Sequence, residues 1–367
     1  MKPGLSLLGA VAAAGLALLM AALAPEPAVD QALVLADQPA PTLQAYHLFK
    51  DAGAQVPSAG VIPYALNTPL FTDYAEKARY LFIPPGARIG YRAKGVLDLP
   101  VGSVLIKSFS YSADQRKPGL EVRRIETRLL IHKKDGWVAN AYVWNAEGTQ
   151  AVLKRAGAHL AVSFTDPVGR RRDIDYAVPN VNQCKQCHSI GAQVSPIGPK
   201  ARNLNGPFDY GQGPENQLAH LSRTGLLVGA PRPDQAPRTA VWSQASEPLD
   251  ARARAYLDVN CGHCHNPQGL ASNSGLYLDL EEDNMAVLGV GKRPVAAGRA
   301  SGGLEFSIAP GDPDHSIIAY RLASTEPGVM MPQLGRSLVH EEGLKLVRDY
   351  IASLRAAPAS APASNRP

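Results

Sequence analysis

Two short stretches of the chain set thiols and an imidazole in the order that covalent porphyrin chemistry requires. They are CKQCH, with Cys184, Cys187 and His188, and CGHCH, with Cys261, Cys264 and His265. In each, two thiols can add across the vinyl groups of a haem, and the adjacent histidine then reaches the iron from the same side of the ring. This is the signature of c-type haem attachment. The chain has 4 cysteines and the motifs use them all; with 9 histidines in 367 residues, one directly behind both pairs is not a chance expectation. Two other readings start from the same thiols. A four-cysteine zinc site sets its pairs about 15–20 residues apart, far closer than these, and needs no histidine behind either. A redox dithiol of the CxxC type sits in a βαβ context that neither flank offers. The expected cofactors are therefore two covalently attached haems c, held by Cys184, Cys187, Cys261 and Cys264, with His188 and His265 as metal ligands.

Something must hold these residues in place. The second motif ends a predicted helix that opens at Ser246-Glu247-Pro248, with an N-cap residue, an acid in the first turn and a proline where a missing N–H is harmless. Leu249, Ala253 and Leu257 share one face of it, so the helix would deliver Cys261 in a fixed orientation. The first motif follows the extended stretch YAVPNVNQ, where Pro179 argues against a leading helix. A helix over 214–224 carries His220 away from its Leu218 and Leu221 stripe. Upstream, 38–179 reads as short strands: SVLIKSFSY, TRLLIHKK and WVANAYVWN alternate, and Asp135-Gly136 marks a hairpin between the last two. Arg170, Arg171 and Arg172 read as a solvated loop after Gly169. The prolines at 231, 233 and 237 mark a linker. A last helix over 340–354 buries Leu344, Val347, Tyr350, Ile351 and Leu354. His263, His315 and His340 read as surface or loop residues.

The ends bear on compartment. MKPGLSLLGAVAAAGLALLMAALA, with its lone charge at Lys2, reads as an export signal. Ala22-Leu23-Ala24 is a small-x-small cleavage candidate that the following Pro25 disfavours. The apolar run is about 20 residues, long enough to span a bilayer at ~1.5 Å per residue, so an uncleaved anchor is the alternative. The body of the chain is expected in the periplasm. The formal charge of +5 is interleaved rather than blocked, and the four propionates of two haems would roughly cancel it, which excludes an electrostatic case for nucleic acid. The tail after Ala356 is Pro/Ala/Ser-rich and reads as disordered.

Several strings carry resemblances. LPVGSVLIKSF, a hairpin containing DGW, an aromatic strand and then CxxCH resemble the β domain of the cytochrome P460 family, which implies a haem seated against the sheet. IGPKARNLNG resembles the Gly-Pro loop of class I cytochromes c, which implies that the Pro199 carbonyl orients His188. VMMPQLG resembles the methionine loop of that class, which implies Met331, ahead of Pro332, as the ligand opposite His265, with Met330 as the alternative. For the first haem the sixth position would fall to His220, to another histidine (His47, His132 or His159), to a methionine of the next domain, or stay open. Together NQCKQCHS, VNCGHCHNPQG, IAPGDPDHSIIAYR, GVMMPQLGR and PYALNTPLFTDYAEKAR resemble a family of exported bacterial dihaem c-type cytochromes.

The expected architecture is an α+β multidomain chain: an N-terminal signal or anchor over 1–36, an antiparallel β domain over 37–180, and a first haem region with linker over 181–245. A mostly α, class I-like cytochrome c region follows over 246–356, then a tail over 357–367. The expected function is a periplasmic dihaem cytochrome that carries electrons between exported redox partners, a periplasmic redox protein or dehydrogenase serving as donor or acceptor. The alternative is a dihaem oxidase or peroxidase-like enzyme whose first haem keeps an open coordination position.

Overall fold

The computed structural model describes residues 28–296 and 298–355. Six strands form an antiparallel sheet in chain order: β1 (Val61–Pro63), β2 (Glu76–Phe82), β3 (Val104–Ser112), β4 (Val122–Lys133), β5 (Gly136–Trp144) and β6 (Ala151–Leu153). The hairpin signal at Asp135-Gly136 is one residue late. Lys133 pairs with Gly136, so Lys134 and Asp135 form the turn, and Gly136 opens β5 at φ +113°, which suits a residue without Cβ.

Alternation gives the sheet two faces. Tyr80, Ile106, Leu129, Ile131 and Tyr142 point to one, where Val34, Leu43, Tyr46 and Leu48 cover them. Asp30 caps the short helix α1 (Gln31–Leu35), and Val29 and Val34 are buried, so the folded body begins ahead of the boundary expected at residue 37. The stretches read as an export signal and as a disordered tail lie outside the described residues, among which no helix is long and apolar enough to cross a membrane.

The opposite face is covered in two parts. A hairpin of β7 (Ala158–Thr165) and β8 (Arg171–Val178) lays Val162, Phe164, Ile174 and Tyr176 over Phe109, Ile125 and Val143. The arginine cluster spans the end of the turn and the start of β8: Arg170 and Arg171 are exposed, as a solvated turn would have them, while Arg170 and Arg172 both reach the buried Asp166 and the exposed Glu341. The other part of this face, at Leu81, Leu105 and Leu130, packs under Ala201, Leu204, Leu218 and Leu221. These come from α3 (Ala201–Leu204) and α4 (Gln217–Arg223), which follow α2 (Val181–His188). The stretch after residue 181 thus shares a core with the sheet.

The expectation of a mostly α haem region is not met. Strand exceeds helix over the described residues, 27% against 20%. Beyond the linker the helices α5 (Leu249–Leu257), α6 (Ile317–Ala323) and α7 (Glu341–Ser353) have only 9, 7 and 13 residues. Glycines and prolines recur through 266–313, where they stop helices from propagating, so loops and single turns fill the space. A compact core still forms. Tyr256 and Leu257 of α5 meet Ile318 of α6 and Leu346, Val347 and Ile351 of α7.

A strap over 64–75 ties the parts together. The Asn67 amide donates to the carbonyls of Arg202, Asn205 and Thr239 at 3.3, 3.1 and 3.1 Å. The Phe71 N–H donates to Asn260 Oδ1 at 2.9 Å, one residue ahead of the second motif. The Asp73 carboxylate accepts from Ser337 and Leu338 N–H groups, each at 2.7 Å. Asp73 and Tyr74 hold φ of +43° and +61°, a left-handed geometry that side-chain-bearing residues keep only when their surroundings fix it.

Candidate functional site

The first motif lies on α2. Asn180 and Gln183 form a reciprocal capping box at its start, so a helix begins directly after Pro179. The extended lead-in expected there is corrected: Asn-x-x-Gln was legible, and proline belongs just outside a helix start. The second motif leaves α5 through a wide turn of π type, Asp258–Gly262. Such a bulge shifts the register between helix and motif. Glycine is favoured at 262, because a Cβ would come within 3.1 Å of the Asp279 backbone, which would have to shift. Asp258, 2% exposed at its side chain, accepts Arg202 Nη2 at 3.0 Å and the Leu280 N–H at 3.1 Å, so it anchors this turn in the interior.

Both motif histidines are tied at Nδ1. His188 donates to the Ser195 carbonyl at 3.0 Å. The Pro199 carbonyl, expected in that role, instead accepts from the Leu97 N–H at 2.9 Å. His265 Nδ1 lies 3.2 Å from Ser274 Oγ, whose own proton goes to the Ala271 carbonyl at 2.6 Å. The serine must accept, so His265 carries its proton on Nδ1. In both rings Nε2 is left with a free lone pair, the arrangement of a metal-ligating imidazole. Burial lowers both pKa values to about 4, which keeps the rings neutral.

The two motifs meet. Sγ of Cys187, Sγ of Cys264 and a ring nitrogen of His263 lie within 4.8 Å of one another, and the Gly191 N–H donates to the Gln268 carbonyl at 3.0 Å beside them. All four cysteines are free thiols. Burial pushes the Cys261 thiol up to about 12 and raises Cys184. Between Cys187 and Cys264 a shared hydrogen bond lowers the first and raises the second.

Cys184, Cys187 and His188 open into a cavity of about 220 Å³ that is partly continuous with solvent. Its floor is the sheet, at Leu105, Lys107, Arg128, Leu130 and Ala139, and its rim includes Pro199 and the loop Pro332 to Arg336. Among the described residues only His188 and His263 of the histidines line it, and no methionine does. His220 stacks on Tyr210 and meets Glu215 at 2.8 Å; His132 stacks on Trp137; His159 pairs with Asp175 in solvent; His47 lies elsewhere. None of the four candidates for the sixth position is brought to the first motif.

Met331 donates its N–H to the Arg321 carbonyl at 3.1 Å, and the charge of Arg321 acts on His265, so the two share a neighbour. Of the three histidines read as surface or loop, only His315 is exposed. His340 stacks on Phe71 with centroids 4.2 Å apart, and His263 has a buried Nδ1 with no partner.

The sequence reading missed the charge of the cavity. Arg79, Lys107, Arg128, Lys200 and Arg336 line it, against Asp258 alone among carboxylates. The signal was in the alternation: Lys107 shares a face with Leu105 and Phe109, and Arg128 with Leu130, so each interrupts an otherwise apolar row. Compared with known protein families, with curated proteins and with solved structures, the chain matches none.

Proposed function

We propose that the chain is an exported dihaem c-type cytochrome that carries electrons between periplasmic redox partners. The observation that carries this reading is the state of His188 and His265. Each directly follows a cysteine pair, is held through Nδ1, and is kept neutral by burial with Nε2 free. A haem in each place would supply one-electron iron chemistry. The chain's residues would attach it through Cys184 and Cys187 or through Cys261 and Cys264, ligate it, and exclude water. Met331 is the candidate second ligand to the iron held by His265, preferred to Met330. A periplasmic dehydrogenase or redox protein would serve as donor or acceptor.

A second reading, a dihaem oxidase or peroxidase-like enzyme, is favoured by one feature: no methionine and no further histidine beyond His263 lines the first cavity among the described residues. An iron held there by His188 would have His263 as its one candidate histidine partner among the described residues and, if unligated by it, a position open for a small molecule. The Cys187, His263 and Cys264 group favours a third, zinc, but it offers three ligands and leaves the other motif residues unused.

Mass spectrometry under denaturing conditions, on protein from a host that attaches haem c, tests the proposal. Two added macrocycles are expected, and one in each of the Cys184→Ser/Cys187→Ser and Cys261→Ser/Cys264→Ser variants. Folded protein carrying zinc and no macrocycle would overturn it. A high-spin ferric signal that responds to cyanide would favour the enzyme, and two low-spin haems without ligand uptake the carrier.

A further inference from the structure

The floor of the cavity carries a row of cations that nothing in the electron-carrier reading uses. Arg79, Lys107 and Arg128 are directly opposed on three adjacent strands, Arg79 against Lys107 and Lys107 against Arg128. Opposed side chains on a sheet face stand about 4.5–5.5 Å apart, and like charges so placed repel. On one side the row adjoins the apolar Leu81, Leu105 and Leu130, and on the other the next opposed positions are Lys77, Phe109 and Glu126.

Among the described residues, only Arg128 of the three is bonded to a carboxylate, although the charge of Glu126 also reaches Lys107. Glu126, fully buried, takes Arg128 and the hydroxyl of Tyr176. Asp258, the one acid lining the cavity, is held by Arg202 at 3.0 Å, with Lys200 at 3.9 Å. Lys107 has the Phe109 ring at 4.7 Å, shared with Arg128 on the same ring. Arg79 is 8% exposed; its Nη1 reaches only the Lys77 carbonyl, at 3.5 Å, and its Nη2 has no partner. A buried guanidinium without a counter-charge is strongly unfavourable, and apolar residues at these positions would be cheaper for folding alone. Burial pushes both Arg79 and Lys107 toward their neutral forms, an effect that a bound negative charge reverses.

We propose that Arg79 and Lys107, with Arg128 beside them, form an anion-binding site on the sheet side of the cavity, taking a carboxylate or a small oxyanion. The cavity offers two sources for that charge: a free anion entering from solvent, or a carboxylate of a porphyrin held at Cys184 and Cys187. The second source rests on the haem reading and the first does not. A free anion here would sit on the sheet wall of the same cavity that His188 lines, as substrate or regulator.

The test is titration calorimetry of the purified full chain with nitrate, a planar oxyanion that ligates iron poorly, beside redox titration of the same sample. If the occupant is a free anion, nitrate binds at one site per chain, and Arg79→Gln and Lys107→Met each weaken it at least tenfold while Arg79→Lys restores part of the affinity. If the occupant is a porphyrin carboxylate, nitrate is silent and both variants lower the midpoint potential of one haem only. Thermal melts accompany each variant, and neither Arg79→Gln nor Lys107→Met is expected to melt below the parent, because each removes an uncompensated charge. Nitrate silent, with both potentials unmoved, overturns the proposal. Should the protein carry no haem, the nitrate arm alone decides it.

Discussion

The sulfurs of Cys187 and Cys264 lie within 4.8 Å of each other although they belong to different motifs. Thioether bonds at both would bring the edges of two porphyrins together at this point. Circular dichroism in the Soret region should then show a couplet of opposite signs in the two-haem protein, absent from the Cys184→Ser/Cys187→Ser variant. A spectrum equal to the sum of two isolated single-haem variants would remove the idea of a closely coupled pair.

If the proposed haems are present, Met331→Ala should lower the potential of the higher-potential haem and let that iron take up exogenous ligands, because a thioether favours reduced iron. Met330→Ala should leave both properties near the parent's. Redox titration with cyanide binding checks this, and an exchange of the two outcomes would move the ligand to Met330.

His340 gives a pH dependence with a definite sign. Stacked on Phe71 and bonded to the Tyr256 hydroxyl at 3.0 Å, it has its pKa lowered to about 4, mainly by burial and then by the charge of Lys77. The unfolded chain, with an ordinary histidine near 6.5, binds the proton first as pH falls. The contribution of this residue to stability is therefore complete above pH ~6.5 and lost between about 6.5 and 4, by up to roughly 3 kcal/mol in a side chain this well buried. Urea midpoints across that window should fall less steeply for His340→Gln. An unchanged slope would show that the ring is protonated in the native state.

Arg202 and Asp258 are 5% and 2% exposed at their side chains and bonded at 3.0 and 3.1 Å. Removing one partner strands the other, so Arg202→Met should cost roughly 3–5 kcal/mol, whereas Arg202→Met with Asp258→Leu should recover much of the loss. Chemical denaturation of the four-member cycle reads this directly. A single variant as stable as the parent would mean that Lys200, 3.9 Å away, already neutralises Asp258.

Local signals carried part of this structure. Alternation located β3, β4 and β5 although both faces of these strands are largely buried, and the stripe at Val347, Tyr350 and Ile351 located α7 because it reports one buried face. The capping box at Asn180 and Gln183 was equally local and was outweighed by Pro179. What stayed illegible is long-range. Nothing near Asp73 in the chain announces Ser337, and nothing near Phe71 announces Asn260. The expectation of a helical C-terminal half failed for a related reason: spacing between a histidine motif and a methionine says nothing about whether the residues between them wind into helix or wander as loops.

The two sides of the sheet answer to separate demands. The side under Val34, Leu43 and Tyr46 is sealed, and any change there would be judged by packing alone. The cavity side holds its charged row at Arg79, Lys107 and Arg128 on the very same strands, one residue out of phase. A protein built this way can re-specify what its cavity accepts by single substitutions while its dry side goes on supplying the stability. Divergence, natural or engineered, should therefore concentrate at those alternate positions.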